Sequence, residues 1–250
     1  MELYGTKSAS IPQKLVILSA EIIAIGVAAW VLLGDGLLGL RAFGSEPHAL
    51  RNLTLFAFDL VVFARFLATL FVFLRRRIPW EETLSVPLAF GLYLVGFPLM
   101  ARGAGTPFGG LELAGIALFV AGSAINTIAE YQRHRFKARE DGRGKLYTGG
   151  LFAWSMHVNY FGDLLWVGGY ACVTHQPWAA LVPAFLLVFF YFFNIPKLDA
   201  YLRDRYGEQF VAYAGRTNKL VPFVLCAPAR RRAGQPAGAS SRSAAPSTAV

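Results

Sequence analysis

The chain holds 250 residues, 55% of them hydrophobic, 14% aromatic and only 16% charged, with a mean hydropathy of +0.45. Soluble domains carry about 25% charged residues, so these proportions exclude an ordinary soluble enzyme, a disordered chain and a coiled coil. Lys and Arg outnumber Asp and Glu by 24 to 15, a formal charge of +9, which must be placed against a membrane before nucleic acid is considered.

The apolar residues fall in blocks long enough to cross a bilayer, which takes about 18 or more residues with few charges. In chain order they cover 15–33, 53–74, 84–100, 111–128, 151–173 and 178–195. The prediction is an all-α integral membrane protein, a bundle of about six transmembrane helices (six or seven). The first block is too long for a signal-peptide core and lacks a clear cleavage site, so it reads as a span. Residues 227–250 are rich in Ala, Pro, Ser and Arg without periodicity and read as a disordered C-terminal tail.

Sorting the basic residues by loop gives the topology. Of 24 Lys and Arg, 20 fall on one side of a six-span chain, among them Lys7, Lys14, the run Arg75–Arg77 and six residues between Arg133 and Lys145. Arg41, Arg51 and Arg102 lie opposite, and Arg65 lies inside a span. The positive-inside rule then puts both termini in the cytoplasm. Contact with anionic lipid accounts for much of the charge. It leaves the segment from Glu130 to Lys145, which mixes basic residues with aromatics and glycines, less fully explained.

Ionisable residues within apolar spans are costly and are functional candidates by default. Here they are Glu21, Asp59, Arg65, Glu130 and Asp163. Asn126 precedes Glu130 by four residues, and Asn159 precedes Asp163 by four. That spacing puts an amide and a carboxylate on one helical face, twice, on consecutive helices joined by the basic loop. Amides donate and accept, carboxylates accept from ribose hydroxyls, and a basic loop holds phosphates. The arrangement suits a nucleotide-like cofactor pocket opening to the cytoplasm. It equally suits helices bridged to one another by polar side chains. His157 has no second His or Cys at ligand spacing, so a helix-bridging role outweighs a metal. Cys172 and Cys226 form neither a disulfide framework nor a metal pattern. Neither Gly34-Asp35-Gly36 nor Gly142-Arg143-Gly144 has the strand-to-helix setting of a phosphate loop.

Three motifs resemble the C-terminal domain of the steroid 5-alpha-reductase family, which shares its membrane core with sterol reductases and isoprenylcysteine carboxyl methyltransferases. The first is Gly122 through Asn126 and Glu130 to Tyr131. The second is Gly149-Gly150-Leu151-Phe152 followed by Asn159-Tyr160-Phe161-Gly162-Asp163. The third is Arg205-Tyr206-Gly207-Glu208 through Tyr213 and Arg216 to Pro222-Phe223. The resemblance implies that this part of the chain binds NADPH. By position, Asn126, Glu130, Asn159 and Asp163 match family cofactor contacts. Lys137, Lys145 and His134 stand where the family has arginine, and Lys197 and Tyr201 stand roughly where it has a histidine and a tyrosine. The family also uses an early-helix glutamate and a tyrosine on the next helix to hold and protonate an enone. Glu21 fits the first role, but the second span has no tyrosine and offers only Asp59 and Arg65.

The resulting expectation divides the chain into helices of a substrate side (1–110), a cofactor-binding membrane domain (111–226) and the tail. The function expected is NADPH-dependent reduction of a carbon–carbon double bond in a lipophilic, steroid- or isoprenoid-like substrate, with Glu21 and Asp59 as catalytic candidates. An S-adenosylmethionine-dependent lipid or isoprenylcysteine-type methyltransferase is the alternative, and a non-enzymatic membrane scaffold is the second. The expected partners are the bilayer and a lipophilic small molecule, not nucleic acid. The expected location is an integral membrane position, the cytoplasmic or inner membrane in a bacterium, with the cofactor site facing the cytoplasm.

Overall fold

The computed structural model describes residues 9–34, 49–74, 76–102 and 106–222. Lys7, Asp35, Gly36, Arg41, His48, Arg75, Phe223, Cys226 and the 227–250 tail lie outside the described residues. Six long helices follow one another: α1 (Ile11–Leu33), α2 (Ala49–Phe73), α3 (Glu82–Ala101), α4 (Gly110–Ala138), α5 (Val158–Thr174) and α6 (Pro177–Tyr206). A short α7 (Glu208–Ala214) follows Gly207. Five of the six, all except α5, are long and apolar enough to cross a membrane. The 17 residues of α5 rise about 26 Å at 1.5 Å each. No strand forms among the described residues, and an isolated bridge pairs Ser155 with Asn218. The protein is the all-helical membrane bundle its composition predicts.

Element ends differ from the hydropathy blocks for definable reasons. The helices α4 and α6 run on past residues 128 and 195, because Glu, Lys, Arg and Gln are good helix formers although they end an apolar block. Helix α5 starts later than the block does, after the 3₁₀ turn Gly150–Ala153. Gly150 has φ +55°, and a Cβ there would stand 2.2 Å from Gln132 Oε1, which accepts the Leu151 N–H at 3.0 Å. Three stretches widen to π-type turns: Thr69–Phe73, Leu92–Gly96 and Phe190–Asn194. Pro98 and Pro196 lie two residues past the last two, and a proline's missing N–H breaks the regular ladder there.

Helices α4 and α5 run antiparallel in direct backbone contact. A Cβ on Gly115 would meet Gly169 O at 2.8 Å, and one on Gly122 would meet Trp166 N at 2.4 Å. The glycines recur at seven-residue intervals on both helices, so one face of each is smooth enough for close approach. Around this pair, Phe58 stacks on Phe119 at 3.7 Å and Phe97 on Tyr170 at 5.1 Å. Leu84, Leu181, Phe185 and Phe192 point outward with more than 60% exposure, as a lipid-facing surface requires.

Helix α1 packs on α2 and α3. Asn52 Nδ2 donates to Leu32 O at 3.0 Å and Lys14 Nζ to Leu74 O at 3.2 Å, which fixes α1 antiparallel to α2. At one end of the bundle Arg51 donates to Glu112 at 2.7 Å, and His175 Nδ1 lies 2.7 Å from the same oxygen. That cluster ties the ends of α2, α4 and α5 together. At the other end the chain after α7 docks on the α5 entry. Met156 N donates to Asn218 O at 2.8 Å, His157 N to Lys219 O at 3.1 Å and Ser155 Oγ to Leu220 O at 2.7 Å. Tyr213 Oη donates to Phe152 O at 2.6 Å. The third sequence motif is thus a clamp on the second.

Candidate functional site

The glycine contact brings α4 and α5 close enough for short side chains to meet. A Cβ on Gly162 would lie 2.8 Å from Asn126 N, so its absence lets the α4 backbone carry Asn126 up to α5. There Asn126 Nδ2 donates to Asp163 Oδ1 at 2.8 Å and to Asn159 O at 3.2 Å. In return Asn159 Nδ2 donates to Glu130 Oε1 at 3.2 Å. The two amide–carboxylate pairs foreseen within helices are therefore satisfied crosswise between helices. Arg133 donates to the other Glu130 oxygen. Trp166 Nε1 donates to Asp163 Oδ1 at 2.8 Å.

This lattice is not closed. The bonds from Asn126 and Trp166 both end on Asp163 Oδ1, and Asp163 Oδ2 accepts none among the described residues. Asn159 spends its amide N–H on Glu130, and its Oδ1 is likewise free. Two acceptor oxygens one helical turn apart remain on half-buried side chains.

Arg65 of α2 completes the group. It donates through Nε to Thr127 Oγ1 at 3.1 Å, through Nη1 to Ser123 Oγ at 3.0 Å and through Nη2 to Asn126 Oδ1 at 2.8 Å. These acceptors sit at i, i+3 and i+4 of α4, hence on one face. The bond to Oδ1 orients the Asn126 amide, since only then does its NH₂ face Asp163. Its guanidinium also lies over the Trp166 ring at 5.5 Å.

The basic loop lies beyond Glu130 on the same helix. Lys137 is exposed; its Nζ donates to Tyr206 Oη at 2.9 Å and to the Lys145 carbonyl. The Lys145 side chain is exposed. His134 packs its ring on Phe73 at 5.4 Å. Lys197 is exposed, and the Tyr201 hydroxyl accepts from Arg205 at 2.6 Å. The structure thus gathers Asn126, Glu130, Asn159 and Asp163 at one point. Lys137 and Lys145 meet at the basic end. Lys197 and Tyr201 lie on α6, where Tyr201 pairs with Arg205 one turn on.

The two catalytic candidates lie apart from the lattice. Glu21 is 1% exposed, and neither of its carboxyl oxygens has a hydrogen-bond partner among the described residues. Asp59 is fully buried, accepts from Tyr170 Oη at 2.8 Å through Oδ1 and leaves Oδ2 unpartnered among the described residues. Tyr170 of α5 therefore brings to Asp59 the phenol that α2 itself lacks. His157 bridges α5 to α6, with Nε2 2.9 Å from Asp199 Oδ1, which matches the helix-bridging reading. Arg65 stood among the ionisable residues of the sequence without a partner. The Ser123, Asn126, Thr127 and Glu130 stripe at helical spacing was the available signal for it. The Tyr170 and Asp199 partnerships have no local signal.

The model of a family described as "Protein of unknown function (DUF1295)" matches residues 83–217. Protein-S-isoprenylcysteine O-methyltransferase B from Arabidopsis thaliana is 31% identical over 115 residues, 46% of this chain and 58% of that protein. A probable protein-S-isoprenylcysteine O-methyltransferase from Oryza sativa subsp. japonica is 26% identical over 121 residues, 46% and 62% of the two chains. From Rattus norvegicus, 3-oxo-5-alpha-steroid 4-dehydrogenase 2 is 29% identical over 112 residues, 44% and 42%. The matched region spans roughly two-fifths to three-fifths of the length of these relatives.

Proposed function

The chain belongs to the DUF1295 family, within the membrane superfamily of steroid 5-alpha-reductases and isoprenylcysteine methyltransferases, and on that premise we propose that it is a membrane-embedded, NADPH-dependent reductase of a carbon–carbon double bond in a lipophilic substrate. The observation that carries this reading is the open lattice of α4 and α5 continued by the basic loop. Asp163 Oδ2 and Asn159 Oδ1 are free acceptors, which fit the hydroxyls of a ribose. Lys137 and Lys145 follow along α4 and its loop, which fits phosphates. A nucleotide with several phosphates uses both features, whereas S-adenosylmethionine carries no phosphate.

When bound, the reduced nicotinamide supplies a hydride. The protein's own groups do the rest. Residues of α4 and α5 hold the cofactor, with Arg65 fixing the Asn126 amide and Arg133 holding Glu130. Helices α1 to α3 form the substrate side. Glu21 donates a hydrogen bond to the substrate's polar oxygen and so polarises the conjugated double bond. The Asp59–Tyr170 pair supplies the proton that completes the addition. The cofactor side faces the cytoplasm, since the basic loops do.

Transfer of a methyl group from S-adenosylmethionine is the second reading, favoured by the Arabidopsis and rice relatives. Ligand-dependent thermal stabilisation of the detergent-purified protein separates the two. NADPH raises the melting temperature on the first reading. Stabilisation by S-adenosylmethionine alone sinks it. A Glu21→Gln protein with normal NADPH binding and full turnover would remove Glu21 from its role.

A further inference from the structure

The segment from Arg133 to Lys145 carries six basic residues, and most of them already have an occupation. Arg133 donates to Glu130. Lys137 donates to Tyr206 Oη at 2.9 Å and to the Lys145 carbonyl, which occupies two of an ammonium's three N–H groups. Arg139 Nη2 donates to Asp141 Oδ2 at 3.1 Å. Arg135 is exposed on a different face of α4. At 3.6 residues per turn it points about 140° away from Glu130, whereas Lys137 points within about 20° of it. The side chains of Arg143 and Lys145 remain, both exposed and without a partner among the described residues.

The loop that carries them has a defined shape. Gly142 ends the 3₁₀ turn Glu140–Gly142 and is buried against the end of α4, where a Cβ would stand 2.0 Å from Phe136 O. Gly144 has φ +73°, a conformation open to glycine and strained for other residues. Arg143 N donates to Glu140 O at 3.2 Å and Lys145 N to Gly142 O at 3.4 Å. Leu146 N donates to Gln209 Oε1 of α7 at 3.2 Å. A charge that only sets topology needs to lie on the cytoplasmic side. It needs neither two special glycines nor a lysine strut from α4. The held turn presents one guanidinium, and the adjacent Asp141 carboxylate is taken by Arg139.

The loop stands level with Lys137, about 10 Å beyond Glu130 along α4. The open oxygens of Asn159 and Asp163 lie on the other side of Glu130, since Asn159 bonds to Glu130 and Asp163 to Asn126 one turn deeper. In a dinucleotide whose nicotinamide ribose takes those oxygens, the far end is the adenosine ribose, and in NADPH that ribose carries a 2′-phosphate.

We infer that Arg143, with Lys145 beside it, reads the 2′-phosphate of the nucleotide and so sets a preference for NADPH over NADH. This rests on the proposed reductase reading and names the residue that selects its cofactor. A phosphate monoester offers three acceptor oxygens, and the planar fork of a guanidinium meets two of them at once. Lys145 adds a point charge. NADH lacks the group, so Arg143 contributes to one nucleotide and not to the other.

The test is calorimetric titration of the full chain in detergent with NADPH, NADH, 2′,5′-ADP and 5′-AMP. Wild type binds NADPH about tenfold tighter than NADH or more, the weight of one hydrogen bond to a charged group. It prefers 2′,5′-ADP to 5′-AMP in the same sense. Arg143→Gln weakens NADPH about tenfold and leaves NADH within about twofold. Arg143→Lys keeps part of the preference, and Arg135→Gln, a cation off the site face, changes neither nucleotide. An unchanged melting temperature without ligand in Arg143→Gln separates lost recognition from lost folding.

The inference is overturned if wild type binds NADPH and NADH alike, if Arg143→Gln keeps the preference, or if that variant loses both nucleotides equally. Phosphatidic acid in mixed micelles that binds through Arg143 while 2′,5′-ADP does not would assign the loop to a lipid headgroup and overturn it too. Binding of both nucleotides without preference overturns the assignment of Arg143 and spares the cofactor reading. Binding of neither overturns both.

Discussion

Gly122 and Gly162 touch across the α4–α5 contact so closely that a Cβ on Gly122 would stand 2.5 Å from the Gly162 carbonyl oxygen. That approach is what allows an asparagine on one helix to reach an aspartate on the other. A Gly122→Ala protein must part the helices, at a cost of about 2–3 kcal/mol, or roughly 5–10 °C in melting temperature. It also loses nucleotide stabilisation. Gly26→Ala is the control, because a Cβ there meets nothing within 4 Å. Thermal unfolding in detergent with and without NADPH reads both effects.

The free oxygen of Asp163 gives a sharper test of the proposed cofactor site. Asp163→Asn keeps the size and one acceptor for Asn126 and Trp166, but replaces Oδ2 by a donor. Nucleotide affinity is expected to fall by about tenfold to a hundredfold, one to two hydrogen bonds to a charged group. The melting temperature without ligand stays within a few degrees. Calorimetric titration with NADPH measures the first, and equal loss of both would assign Asp163 to helix bridging alone.

At the opposite end, Arg51 and Glu112 form an ion pair with 1% and 0% side-chain exposure. Removing one partner leaves a buried charge, so Arg51→Met is expected to cost about 3–5 kcal/mol. The double variant Arg51→Met with Glu112→Met recovers much of that loss. Denaturant unfolding of the single and double variants measures the difference, while the proposed cofactor site, at the other end of α4, is expected to keep its affinity in the double variant.

Tyr213 lies in α7, outside the spans, and burial pushes its phenol well above the usual range. The neutral form is the one that donates to Phe152 O. Its stabilising contribution is therefore full below the unfolded tyrosine pKa of about 10 and is lost as the pH rises through the higher folded value. Tyr213→Phe loses about 1 kcal/mol at neutral pH and shows a flatter decline between pH 10 and 12. Melting curves across that range compare the two proteins.

The bundle was legible because apolar blocks of this length have one physical use, whereas the seven-residue glycine spacing of α4 and α5 shows its use only where the two faces meet. The crosswise lattice was half legible. The four-residue spacing put Asn126 with Glu130 and Asn159 with Asp163 on shared faces, but the bonds run Asn126 to Asp163 and Asn159 to Glu130. Sequence spacing reports which residues share a face, and the antiparallel register decides which of them meet. Arg65 shows the same limit, since its three acceptors lie 58 to 62 residues away. The late start of α5 escaped hydropathy because Leu151, Phe152 and Trp154 are apolar residues in a 3₁₀ turn and its flank, where packing, not helix formation, uses them.

The pairing of Ser155, Met156 and His157 with residues 218–220 bears on how the protein is made. The entry to α5 acquires its anchor only after some sixty further residues have been synthesised. A chain that stops before Tyr213 would hold α1 to α6 and leave the α5 entry unpinned. Maturation of the site is thus timed by its last-made segment, and a series of C-terminal truncations would gain ligand binding in one step instead of by degrees.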